Sequence, residues 1–175
     1  MNFVTSDRPL TSRRMERTDL DEILEIETVS FPAPWTRDMF LEEMSNRSAR
    51  LIVFTEDRLI VGYMCFWVVL DEGHLMNIAV RPDRRGGGYG TYMMERLREL
   101  CLKAGLNKII LDVGRRNLPA RRLYKKCGYS SIGFRKRYYT SINDDAVVME
   151  KWLGGPESEE PCGEPNDKES GSHSR

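Results

Sequence analysis

Arg85-Gly86-Gly87-Gly88-Tyr89-Gly90 stands between an apolar run, Leu75 to Val80, and apolar residues at helical spacing from Thr91 to Ala104. Glycine lets a backbone approach an anion closely, and a helix N-terminus offers unpaired N–H donors at the positive end of its dipole. A glycine-rich turn from strand to helix is therefore a cradle for phosphate. Two nucleotide readings fail on the neighbouring residues. A P-loop requires Lys and then Ser or Thr after its last glycine, but Gly90 is followed by Thr91-Tyr92. A dinucleotide fingerprint belongs on the first strand of its fold, with an acid about 20 residues later on the next strand. This loop lies in mid-chain, behind several strand-like runs, and Asp112 falls inside a strand pattern.

Other residues with chemical potential are few. Cys65, Cys101, Cys127 and Cys162 form no CxxC pair, and His74 and His173 are the only histidines, so no zinc spacing is present. Three of the cysteines sit in apolar surroundings and read as reduced core thiols. Asp112 stands between Leu111 and Val113. A carboxylate on an apolar strand is costly to bury alone, which marks Asp112 as a functional acid or one paired with a nearby base.

These residues need a scaffold. Thr11 to Arg17 reads as a first strand. Thr18 can cap a helix carrying Leu20, Ile23, Leu24 and Glu27, which Pro32-Ala33-Pro34 breaks. Thr36 can cap a second helix from Arg37 to about Asn46. Strands follow at Arg50 to Thr55, Leu59 to Leu70 and His74 to Val80, with Asp57-Arg58 and Asp71-Glu72-Gly73 as separators. Beyond the glycine turn and the long helix come a strand at Lys108 to Val113 and a helix at Leu118 to Lys126 with Gly128 past its end. Strands at Tyr129 to Tyr139 and Ala146 to Trp152 complete the order. This predicts an α/β fold, a mixed, mostly antiparallel central sheet with helices on both faces.

In that setting Arg85-x-x-Gly88-x-Gly90 resembles the RxxGxG motif of the GNAT acetyltransferases. Asp71-Glu72, Asn77-Ile78-Ala79-Val80, Asn117, Leu123-Tyr124, Gly128-Tyr129 and Tyr138-Tyr139 extend the resemblance across roughly residues 10 to 152. Within the family it points to enzymes that acetylate the N-terminal amine of a protein, most closely the N-terminal alanine of a small-subunit ribosomal protein. The resemblance implies the GNAT fold and acetyl-CoA as cosubstrate, with no metal. It places the pantetheine arm on backbone groups of Ile78, Ala79 and Val80. It places the pyrophosphate on Arg85, Gly86, Gly87, Gly88, Tyr89, Gly90 and Thr91, and a further contact on Asn117, which would otherwise serve as a helix cap. It makes Tyr124 the acid for the leaving thiolate, in place of a core aromatic. Asp112 stands where such sequences carry a glutamate base, one methylene shorter, with Glu27 and His74 as reserves. Trp35, in Phe31-Pro32-Ala33-Pro34-Trp35, and Tyr138 with Tyr139 would bind the peptide end; for Trp35, plain core packing is the other reading. Other N-termini, lysine or small amines, or a non-catalytic acyl-CoA-binding module, are the alternatives.

Composition sets the outer limits. The apolar fraction of 40% suits a packed core, and no apolar run approaches a membrane span of about 18 residues or more. The N-terminus lacks the apolar stretch of a secretory signal. A cytoplasmic protein is expected, with a protein N-terminus as partner and neither DNA nor membrane. The formal charge is zero, but residues 154 to 175 hold six acids and two bases, leaving 25 bases against 21 acids before them. The expected division is a GNAT domain at 1–153 and a disordered acidic tail at 154–175. Arg115, Arg116, Arg121, Arg122, Lys125 and Lys126 read as a solvated helix face, or as a contact for CoA phosphates or ribosomal RNA.

Overall fold

Alternation of apolar and polar residues becomes a seven-stranded sheet in the computed structural model, which describes residues 10–140 and 143–154. In chain order the elements are β1 (Leu10–Arg14), α1 (Leu20–Ser30), α2 (Arg37–Ser45), β2 (Ala49–Glu56), β3 (Leu59–Val69) and β4 (Glu72–Val80). There follow α3 (Tyr89–Lys103), β5 (Lys108–Gly114), α4 (Leu118–Lys126), β6 (Ser130–Tyr139) and β7 (Asp144–Trp152). The strands lie in the order β1-β2-β3-β4-β5-β7-β6. All neighbours are antiparallel except β4 and β5.

Each face of the sheet carries its own core. On one, α3 buries Met93, Leu97 and Cys101 at four-residue spacing, against Leu111, Val113, Val147 and Met149 of β5 and β7. On the other, Leu20, Ile23 and Ile26 of α1 and Phe40 of α2 cover Leu51, Val53, Tyr63 and Cys65. Each such side chain contributes about 1.5–3 kcal/mol through burial.

The expected boundaries shift at several ends, and β7 begins at Asp144 instead of Ala146. The first strand ends at Arg14 instead of Arg17, because Glu16 and Asp19 cap a short 3-10 turn reciprocally and Arg13 pairs with Asp19 at 2.7 Å. Thr18 lies inside that turn and is not the cap. The third of the consecutive strands begins at Glu72, with Leu70 taking φ +54° at the turn. The long helix begins at Tyr89, two residues before Thr91, so Tyr89 and Gly90 are helical. The expected tail falls, from residue 155 onward, outside the described residues, as does Cys162.

One irregularity shapes the middle of the sheet. Cys65 pairs with Asn77 and Phe66 with Leu75, which leaves Met76 as an extra residue in β4. A bulge bends its strand, and the parallel pairing of β4 with β5 stops at Leu75 and Leu111. Beyond that point the two strands part. Residues 77–80 and 112–114 flank the opening.

Candidate active site

The glycine turn reaches α3 through two left-handed glycines, Gly86 at φ +79° and Gly88 at φ +83°. Gly88 is the N-cap of α3, and a side chain there would be strained. The first helical bond runs from the Tyr92 N–H to the Gly88 carbonyl at 3.0 Å. The amides of Tyr89, Gly90 and Thr91 therefore have no partner inside the helix. Tyr89 turns its ring into the core and donates its hydroxyl to Glu56 at 3.2 Å, so it can offer an anion only its backbone. Arg85 donates from Nε to the Val80 carbonyl at 3.0 Å and from Nη2 to Ser30 at 2.8 Å. That arginine ties the turn to the end of β4 and occupies one of the backbone acceptors expected to serve a ligand.

Beside the cradle, the opening between β4 and β5 leaves backbone groups of β4 without a ladder partner on that side, and buried backbone groups require one. Ile78, Ala79 and Val80 lie there. Gly62 of β3 packs behind them: a β-carbon on it would sit 2.7 Å from the Ala79 carbonyl oxygen. Asn117 caps α4, its Oδ1 accepting from the Ala120 N–H at 3.2 Å. Gly90 lets α4 close on α3, since a β-carbon there would meet Leu123 at 3.0 Å.

Two titratable side chains flank the opening from opposite faces of the sheet. Tyr124 of α4 is 6% exposed and belongs to the core that includes Leu111 and Val113. Burial, and next the nearness of Tyr139, push its phenol up, so it holds its proton firmly. Asp112, between those two residues on β5, points to the other face by strand alternation. Its Oδ1 lies 3.2 Å from Nε of Arg135. Tyr139 donates its hydroxyl to the Asp112 carbonyl at 3.3 Å, and burial first, then Asp112, push that phenol up to about 12. Gly114 makes room for Asp144, which a β-carbon would meet at 2.9 Å. Asp144 and Tyr139 thus pack around Gly114 at the end of β5, with the Tyr139 hydroxyl on the Asp112 carbonyl.

The apolar loop after α1 is held by a buried carboxylate. Glu27, 1% exposed, accepts from the Trp35 N–H at 2.7 Å, from Asn77 Nδ2 at 3.2 Å and from the Tyr63 hydroxyl. Burial drives its carboxyl upward, against the opposing hydrogen bonds. Closed to solvent and with its oxygens engaged, Glu27 ties the Trp35 loop, Asn77 and Tyr63 together. His74 lies in the paired part of β4 and contacts Glu72 at 2.8 Å. Trp35 is half-buried and meets Phe40 edge-on at 5.3 Å. Tyr138 is exposed and meets Tyr139 edge-on at 5.1 Å.

Cys65, Cys101 and Cys127 are buried and unbridged. Burial raises Cys65 strongly and Cys101 to about 12, which keeps both as thiols. Among the described residues, no group of three or more His, Cys, Asp and Glu side chains could hold a metal ion. No described helix is long and apolar enough to cross a membrane. Of the basic stretch, Arg115 and Arg116 face Asp145 and Asp144 at 3.9 and 3.8 Å, while Arg122, Lys125 and Lys126 are exposed. Sequence reasoning missed Gly62, Asp144, Arg135 and the Met76 bulge; of these only Asp144 and Arg135 had residue types that could have drawn notice.

A glycine cradle on a helix N-terminus, beside a parallel strand pair that parts, is the arrangement of an enzyme built around a long phosphorylated cosubstrate. The sequence matches the Acetyltransferase (GNAT) family over residues 20–129, and the chain belongs to that family. It is an acetyl-transferring enzyme, and the family's acetyl donor is acetyl-CoA. The ribosomal protein bS18-alanine N-acetyltransferase of Escherichia coli (strain K12) is 33% identical over 143 residues, covering 79% of this chain and 95% of the relative. A Bacillus subtilis (strain 168) protein that bears that name provisionally is 38% identical over 138 residues, covering 78% and 91%. The crystal structure of the ribosomal-protein-S18-alanine N-acetyltransferase from Escherichia coli superposes with a TM-score of 0.76 at 29% identity, covering 83% of this chain and 94% of that one.

Proposed function

We propose that the chain acetylates the N-terminal α-amine of a protein, an alanine at the head of a small-subunit ribosomal protein, by direct transfer from acetyl-CoA. The observation that carries this reading is the placement of Tyr124 and Asp112 on opposite faces of the strand opening, next to the glycine cradle. The names of the relatives support the choice of substrate.

In this reading the amides of Tyr89, Gly90 and Thr91, with the turn from Arg85 to Gly88, hold the pyrophosphate. Ile78, Ala79 and Val80 bond the pantetheine arm along β4, and Asn117 offers its amide group beside it. Trp35, Tyr138 and Tyr139 hold the peptide end. An α-ammonium has a pKa of about 7.7–8.0, so a modest base suffices. Asp112 takes a proton from it, directly or through one water that spans the missing methylene, about 1.5 Å. The amine nitrogen then bonds to the acyl carbon, the carbon–sulfur bond breaks, and Tyr124 gives its proton to the departing thiolate. The proton left on the new amide nitrogen passes to solvent. Cys65 and Cys101, buried and protonated, are poor acyl acceptors, which favours transfer without an acyl-enzyme.

Initial rates at varied acetyl-CoA and peptide test the order of events. Lines that intersect in the double-reciprocal plot are expected; parallel lines would require an acyl-enzyme. A panel of peptides differing only in their first residue should rank alanine first. A faster rate on a peptide with a blocked N-terminus and a free lysine would overturn the proposed substrate.

A further inference from the structure

Arg135 is held by groups that suit a substrate cation. Its Nε stands 3.2 Å from Asp112 Oδ1, and its guanidinium carbon lies 5.6 Å from the centre of the Tyr138 ring. A carboxylate beside an aromatic face is the pairing that recognises an ammonium group. A protein N-terminus is largely ammonium at neutral pH. With Asp112 as base, that ammonium requires the position in which Arg135 now stands. We infer that Arg135 is a resident cation in the amine seat, displaced when the substrate's N-terminus enters. This inference rests on the proposed role of Asp112.

Three observations carry it. The Arg135–Asp112 contact is one of charge without alignment: Oδ1 is buried and accepts no hydrogen bond of good geometry. An ammonium or water donor with better direction gains a full bond there. The arginine side chain is 55% exposed, so its head group can swing into water without being buried elsewhere. The strand that carries it is also irregular at that point. Between Arg135 and Tyr139 β6 loses register with β7, and Arg137 takes φ +51°. Two cations at one carboxylate repel each other, so Arg135 and the substrate ammonium compete for Asp112.

The consequence is competition: Arg135 raises the concentration of peptide needed to fill the site while leaving the filled site's chemistry alone. Arg135→Gln, purified and shown by circular dichroism to be folded, should lower the peptide KM about two- to fivefold, the range set by the strength of an exposed ion pair. Its kcat should stay within about twofold. Arg135→Lys, which retains a cation, should return KM toward the wild-type value. Arg135→Met provides a second uncharged variant if the glutamine one folds poorly. A rise in peptide KM in the uncharged variants would show that Arg135 grips the peptide and would overturn the inference. An unchanged KM would overturn it as well. Asp112→Asn in the same assay separates the two claims: full activity there would refute the base assignment whatever Arg135 does.

Discussion

In the proposed mechanism, Tyr124 and Asp112 handle the two protons of the reaction from opposite sides of β5. Tyr124, kept protonated by its burial, is suited to give a proton to a thiolate formed beside it. Tyr124→Phe removes the hydroxyl and little else. It should cut kcat by about 10²-fold or more, the usual scale of acid–base catalysis, with acetyl-CoA affinity by calorimetry nearly unchanged. Asp112→Asn should lose activity to a similar degree, whereas Asp112→Glu should keep or raise it, since the longer acid stands nearer an amine. Glu27 acts through Trp35 and Asn77. Glu27→Gln presents a donor where only acceptors fit and should destabilise the fold by about 1–3 kcal/mol. Because burial raises the folded carboxyl above its usual 4.5, its contribution is complete below that value and is lost as pH rises through the folded one. The stability margin of wild type over Glu27→Gln, from denaturant melts, should therefore be widest below pH 4.5 and narrow toward pH 7.

At the scale of elements, the site depends on two strands that part and a third that backs them. Gly62→Ala would drive a methyl group into the Ala79 carbonyl, displacing the part of β4 expected to carry the cosubstrate. Overpacking of this kind costs about 1–3 kcal/mol. Acetyl-CoA affinity should weaken about tenfold or more by titration, with a smaller change in peptide KM. Elements marked by local punctuation were legible in the sequence. Helix α4 runs over Leu118–Lys126 as expected because Asn117 opens it and Gly128, at φ +82°, follows its end. Helix α2 begins where Thr36 accepts from the Met39 N–H at 3.3 Å. What depends on tertiary pairing was not legible. The Met76 bulge has no residue signature, the Glu16–Asp19 cap overrode Thr18, and the meeting of Arg135 with Asp112 joins strands separated by α4 in the chain. Glu27 had a suitable type for a base, but its enclosure by Trp35, Asn77 and Tyr63 could not be read from the sequence.

Across the whole molecule, the strand order places the glycine turn, the opening and the Tyr138–Tyr139 pair around β4, β5 and β6, with a separate core on each face. Binding across that opening links both halves of the sheet. Acetyl-CoA at 100 times its Kd should therefore stabilise the fold by about 2.7 kcal/mol, read as an upward shift in Tm; a Tm unmoved by acetyl-CoA would contradict the cradle assignment. The most direct test of the account is mass spectrometry of a peptide that begins with alanine and also contains lysine, incubated with the enzyme and acetyl-CoA. The account predicts one added acetyl group, located by fragmentation on the α-amine of the alanine and greatly reduced with Tyr124→Phe. An acetyl group on the lysine side chain, or no added mass with folded enzyme that binds acetyl-CoA, would contradict it.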